Sequence, residues 1–174
     1  RASLELLYDI SRELTTALDL HTVLQRVLFL SMRTVGASTG SLIVLDDTGK
    51  PVESAIIMGD MVHSHATQRL RVTLEHGLAG WVARNRQSAL IADTSQDERW
   101  LLINYNNDEP RLDGKAVVSA PLLVRDRLVG VITLVHSKVG FYTQDHLALV
   151  QAIADQAGIA VLNARLYAES KNQA

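Results

Sequence analysis

Residues Glu75 to Trp100 read Glu-His-Gly-Leu-Ala-Gly-Trp-Val-Ala-Arg-Asn-Arg-Gln-Ser-Ala-Leu-Ile-Ala-Asp-Thr-Ser-Gln-Asp-Glu-Arg-Trp. Gly77 and Gly80 permit a turn and a close backbone approach. Leu78, Trp81 and Val82 recur at helical spacing and predict a short helix from about Leu78 to Arg84. Ala89 to Ala92 then read as a brief buried strand, stopped by Asp93-Thr94-Ser95. A glycine-opened helix leaves N–H groups free at its start, which suits an anion or a polar ligand. Gly-x-x-Gly by itself is a weak signal, and packing alone also accounts for it.

Upstream, Leu4, Leu7, Tyr8, Leu14 and Leu18 lie at helical spacings and predict a helix over Ala2 to Ala17. Asp19 is placed to cap a second helix, Leu20 to Val35, with Val23, Leu24, Val27, Leu28 and Met32 on one face and Gly36 as its stop. Ser41 to Asp46 reads as a strand, turned by Asp47-Thr48-Gly49-Lys50 into a partner from Val52 to Met58. The alternation of Leu70, Val72 and Leu74 predicts a further short strand.

Downstream, Leu101 to Gly114 is rich in Asn and Asp without a clean period, which predicts a functional or mobile loop. Val117 to Val124 reads as a strand interrupted by Pro121. Arg125-Asp126-Arg127 turns it into the strongest strand of the chain, Leu128 to His136. Thr143 is placed to cap a closing helix from Gln144 to Ser170, with Asp145 near its positive end. Leu147, Val150, Ala154, Ala157, Val161, Ala164 and Ala168 form its seam. Leu149, Ile153, Ile159, Leu162 and Leu166 lie outside that seam, so the helix needs cover on more than one side. A sheet supplies one side; the first helix, a second subunit or both supply the other.

The chain has 174 residues, of which 47% are hydrophobic, enough for one domain with a sizeable core. A formal charge of −2 without a basic block gives no support for nucleic-acid or membrane partners. The longest strong apolar run, Leu128 to Val135, is far short of the roughly 20 residues of a membrane helix. There is no cysteine, hence no disulfide, thiolate metal site or cysteine nucleophile in this segment, which fits the cytosol. A first residue of Arg1 and the absence of a signal peptide suggest a piece of a larger protein.

Taken in order, Gly77–Ala83, Leu90-Ile91-Ala92-Asp93, Pro121-Leu122, Gly130-Val131-Ile132-Thr133-Leu134, Phe141 with Asp145 and the closing helix resemble the GAF domain family. The resemblance covers nearly the whole chain. It implies an α+β fold with a central antiparallel sheet of about six strands. Terminal helices would pack on one face, and short helices and loops would enclose a pocket on the other. Residues 1–174 would be a single domain, with 1–18 and 163–174 as helical extensions toward neighbouring domains. The implied function is small-molecule sensing within a signal-transduction protein, such as a sensor histidine kinase of a two-component system. A homodimer through the terminal helices and a cytoplasmic location would go with it. A structural dimerisation module with a filled pocket is the alternative.

For an enzyme there is little. The chain has no Gly-x-Ser-x-Gly elbow, no His-Glu-x-x-His and no P-loop. The family's methionine sulfoxide reductases use cysteines, absent here, and His146 lacks the surroundings of a kinase phosphoacceptor. His63 and His65 would share one side of a strand and could address a metal. No carboxylate follows at ligand spacing, so they read as a solvated loop pair. By resemblance, the pocket would draw on Ser41, Met58, Leu78, Ala79, Leu101, Tyr105 and Thr133. His76, just before the glycine turn, is a further candidate. A bilin thioether is impossible without cysteine. A cyclic nucleotide is disfavoured: Met58 and Thr133 stand where nucleotide-binding members carry acidic residues, and His136-Ser137 and His146 replace other expected groups. The mixed apolar and hydroxyl set suits a small neutral ligand.

Overall fold

The computed structural model describes Leu4 and residues 19–64, 67–100 and 114–173. Its first complete helix, α1, spans Leu20–Val35. The Asp19 carboxylate accepts the His21 N–H at 3.2 Å and the Thr22 hydroxyl at 3.1 Å, so two donors at the helix start are met. Gly36, at φ 72°, closes the other end by donating its N–H to the Met32 carbonyl. Val23, Leu24, Val27 and Leu28 repeat at the helical period and are fully buried.

Strands β1 (Thr39–Leu45), β2 (Pro51–Met58) and β3 (Met61–Ser64) follow. Asp46 shapes the first turn by accepting the backbone N–H groups of Thr48 and Lys50, at 2.8 and 3.0 Å, and the Thr48 hydroxyl at 2.6 Å. Helices α2 (Thr67–His76) and α3 (Leu78–Asn85) lead to β4 (Ala89–Ile91) and a 3-10 turn at Thr94–Gln96. The chain closes with β5 (Ala116–Val124), β6 (Arg127–His136) and the 30-residue α4 (Gln144–Gln173).

The six strands form one antiparallel sheet in the order β3-β2-β1-β6-β5-β4. Strand residues alternate between two cores. Leu42, Val44, Ile57, Val118, Ile132 and Leu134 pack with α1 and α4. Ile43, Leu45, Ile56, Val117 and Val131 face the other way, toward Leu70 of α2 and Leu78, Ala79 and Val82 of α3. The fold is therefore the α+β arrangement expected, with long helices on one face and short helices on the other.

Two expectations need correction here, and one strand was not expected at all. Leu70, Val72 and Leu74 lie on helix α2, not on a strand. Leu70 and Leu74 are four apart and both join the core, whereas Val72 between them is exposed. Strand β3 has no counterpart in the reading of the sequence: its four residues alternate too briefly to register. Pro121 does not interrupt β5, since it pairs with Val131 of β6. Strand β4 pairs only as far as Ser119, so the side of β5 on which a proline would lack a donor is already open there. The predicted helix over Ala2 to Ala17 lies outside the described residues, apart from Leu4, which is helical and exposed.

Helix α4 starts just after Thr143, whose backbone N–H and hydroxyl both meet the His146 ring. The Thr143 N–H donates to His146 Nδ1 at 3.0 Å, and the Thr143 hydroxyl lies 3.2 Å from the same nitrogen. His146 thus takes the place that Glu or Gln holds in a capping box. Further along, Arg165 is buried and donates to the Leu45 carbonyl at 2.5 Å and to Asp47 at 3.2 Å, tying the helix to the end of β1. By length and composition α4 is apolar enough to cross a membrane. Here Val150, Ile153, Ala157 and Val161 are spent on the domain core.

Candidate functional site

Pairing across the sheet brings His63, Ile56, Ser41, Thr133, Ser119 and Ala89 into one transverse row, a residue from each strand. Directly paired residues share a face. Ile56 and Ala89 belong to the core under α2 and α3, so the whole row looks that way. Three adjacent central strands therefore carry hydroxyls in the middle of an apolar face.

Ser119 is fully buried and Thr133 is 8% exposed. The Ser119 hydroxyl donates to the Ile132 carbonyl at 3.1 Å and lies 2.9 Å from Thr133 Oγ1. Ser41, partly exposed, has no side-chain hydrogen bond among the described residues. At the row's end, His63 Nε2 is buried without a hydrogen-bond partner among the described residues. His63 is thus a strand residue, which corrects its reading as part of a solvated loop pair; His65 lies outside the described residues.

Met58 sits in the neighbouring row, paired with Thr39, and packs on the same core. Leu78 and Ala79 form the buried first turn of α3. That turn begins at Gly77, which has no side chain to cap it. Gly80 meets the expectation of close approach: a Cβ there would collide with the Leu74 carbonyl oxygen of α2. His76 does not join this group; its side chain is 72% exposed, with Nε2 3.9 Å from Glu75. Leu101 and Tyr105, and all but the last residue of the expected loop from Leu101 to Gly114, lie outside the described residues.

Beside α3, the Arg99 guanidinium stacks 4.4 Å from the centre of the Trp81 ring. Asp97 holds it there with two hydrogen bonds, at 3.0 and 2.8 Å. The same bonds lower the Asp97 carboxyl and raise the Arg99 guanidinium, so the pair is ionised across the working pH range. Among the described residues, no group of three or more His, Cys, Asp and Glu is placed to hold a metal ion.

A family model described as GAF domain matches residues 17–162. The chain belongs to the GAF domain family. Two curated relatives are similar to this GAF domain over most of its length. One is a probable 3',5'-cyclic phosphodiesterase of Caenorhabditis elegans, 25% identical over 92% of the chain. The other is a dual 3',5'-cyclic-AMP and -GMP phosphodiesterase of Takifugu rubripes, 27% identical over 98% of it. The chain spans only 23% and 19% of those proteins. Among solved structures, the GAF domain of an Acinetobacter phosphoenolpyruvate-protein phosphotransferase superposes with a TM-score of 0.69 at 14% identity, covering 97% of this chain and 98% of that one. The free methionine-R-sulfoxide reductase of Neisseria meningitidis, solved with its substrate, gives 0.68 at 11% identity, covering 94% and 90%. Such identities show the fold alone.

Of the row's polar residues, Ser119 has no part in the reading of the sequence, and His63 enters it only as half of a loop pair. Ser119 sits two residues before Pro121 in a run of apolar positions, and only the pairing of Ser119 with Thr133 shows its role. The one available signal was the alternation of β5, which puts Ser119 on the same face as Val117.

Proposed function

We propose that this GAF domain is the small-molecule-sensing segment of a larger cytoplasmic signal-transduction protein, a sensor histidine kinase or similar multidomain regulator. The observation that carries the reading is the hydroxyl row: Ser41 and Thr133 stand in the middle of an apolar sheet face, beneath α2 and α3, with hydrogen-bonding capacity unmet. A ligand seated there would touch strands β1 and β6. Strand β6 leads through Thr143 into α4, whose 30 residues make a rod of about 45 Å. A ligand that prefers one packing of that helix shifts its population by the difference in affinity. Output then passes through the terminal helices of a homodimer to an effector in the same full-length chain. The segment itself is regulatory and not catalytic.

The cyclic-nucleotide phosphodiesterase relatives make a cyclic nucleotide the natural first ligand to test. Met58 and Thr133 argue against it, since neither supplies the carboxylate expected at those positions. The second reading, a structural dimerisation module, draws on the near-complete burial of Leu78, Ala79 and Thr133. Native mass spectrometry of the purified chain separates the two. A bound small molecule, lost on unfolding, is the result expected. A bare chain mass, with no change in melting temperature on adding cyclic AMP, cyclic GMP or a panel of neutral heterocycles, would leave the structural reading in its place.

A further inference from the structure

We infer that the ligand of this site is a neutral molecule with an N–H beside a carbonyl, a lactam-type edge, read by Thr133 and Ser41 together. The inference rests on the small-molecule-sensing reading and narrows its ligand class. It comes from where the hydroxyl hydrogens go. Ser119 has one hydrogen and two oxygen neighbours, the Ile132 carbonyl at 3.1 Å and Thr133 Oγ1 at 2.9 Å. A carbonyl can only accept. Both contacts are hydrogen bonds only if Ser119 donates to Ile132 and Thr133 donates to Ser119. The reverse arrangement would leave the Ile132 contact empty and the buried Thr133 hydrogen without a partner, against the rule that buried polar groups are paired.

The polarity of Thr133 is thereby set. Its hydrogen is used, and only its lone pairs are left for a ligand. Ser41, its direct partner across β1 and β6, has both its hydrogen and its lone pairs open. An acceptor next to an available O–H is the complement of N–H next to C=O. The ligand N–H donates to Thr133 Oγ1, and the ligand carbonyl accepts the Ser41 hydrogen. Apart from His63 at the row's end, none of the strand residues in this row or in the neighbouring row of Met58, Thr39, Val135, Val117 and Ile91 is ionisable, which favours a neutral ligand. A second polar atom lies farther along the same row, beyond Ile56: His63 Nε2, buried and without a hydrogen-bond partner among the described residues.

The probes are 2-quinolinone and 1-methyl-2-quinolinone, which differ in the N–H and little else. Binding to the intact chain is followed by amide shifts of Ser41 and Thr133 in nitrogen-15 correlation spectra. In the wild type, 2-quinolinone should bind at least about tenfold more tightly, because a site built around a donor rejects the analogue lacking it. Thr133→Val, nearly isosteric, should bring the two affinities together. Ser119→Ala should also narrow the gap, by releasing the Thr133 hydrogen so that Thr133 can donate as well as accept. Equal affinities in the wild type, or binding that leaves the Ser41 and Thr133 amides unmoved, would overturn the lactam assignment and leave ligand sensing standing. Failure of both probes to bind the wild type would likewise overturn the lactam assignment, while the sensing reading stands or falls on the mass-spectrometric test.

Discussion

Gly80 is the described glycine at which an added Cβ would come nearest to backbone. Its position was legible from the glycine turn alone, and the structure supplies the reason: the obstacle to a Cβ is the Leu74 carbonyl, backbone that cannot rotate away. Gly80→Ala should cost about 1–3 kcal/mol as overpacking between α2 and α3, seen as a lower melting temperature. An unchanged melting temperature would deny the close contact. Tyr142 should behave in the opposite sense. Its hydroxyl is buried without a hydrogen-bond partner, and burial pushes its ionisation well above the ordinary tyrosine range. Removing an unpaired polar atom relieves its desolvation, so Tyr142→Phe should keep or raise the melting temperature, by up to about 1 kcal/mol of stability. A clear loss would mean that the hydroxyl has a partner. Asp47 sets an acid response. Two hydrogen bonds from Arg127, at 2.8 Å each, and then one from Arg165 hold its carboxyl at about 2, against an ordinary 3.8. A lowered carboxyl stabilises the fold above 3.8 and loses that contribution as the pH falls through about 2. Asp47→Asn should therefore flatten the acid limb of a melting-temperature profile over that window. An unchanged slope would remove Asp47 from the acid response.

At the scale of elements, helix ends were the best-read feature. Asp19 and Gly36 bracket α1 as their chemistry requires, since the cap acts within a few residues of chain. Helix α4 begins at Gln144, next to the threonine that the sequence offers as its cap, but the Thr143 hydroxyl meets the His146 ring, which no local pattern announces. His146 occupies the third helical position with Nδ1 accepting the Thr143 N–H, a role that sequence patterns assign to Glu or Gln. Thr143→Ala should cost about 1 kcal/mol by chemical denaturation. A neutral outcome would show that the His146 contact alone holds the helix start. Helix α2 was misread because Leu70, Val72 and Leu74 satisfy a period of two as well as a spacing of four. The choice fell to α3, on which α2 packs at Gly80, and to β2, across which Leu70 lies in the second core.

For the whole molecule, the open question is the partner of the outer helical surface. Ile159, Leu166 and Tyr167 of α4, Phe29 of α1 and Leu4 are exposed. The proposed homodimer would cover such a surface about a two-fold axis, so each substitution acts twice. Leu7→Glu with Leu14→Glu should dissociate it, because each unpaired buried charge costs on the order of several kcal/mol. Sedimentation equilibrium should show the double variant as a monomer with the circular dichroism of the folded domain. A wild type already monomeric at tens of micromolar would end the dimer proposal, and a variant that unfolds would place those leucines in the domain core.

By itself the sequence determined the elements whose signals are local: the caps of α1, the start of α4, the hairpin turned by Asp47 to Lys50, the strand at Leu128 to His136, and the glycine turn. These depend on neighbours within one or two helical turns, so a linear reading reaches them. Only the tertiary structure decided the helical state of α2, the continuity of β5 through Pro121, the existence of β3, and the alignment of Ser41, Thr133 and Ser119. Each of those depends on residues distant in the chain. Ser41 and Thr133 are 92 positions apart and become neighbours only when β1 chooses β6 as its partner. The pairing is favoured because it buries Leu42 with Ile132 on one face and Ile43 with Val131 on the other. The hydroxyls are carried into line by that hydrophobic choice, and no local pattern of their own could have announced it.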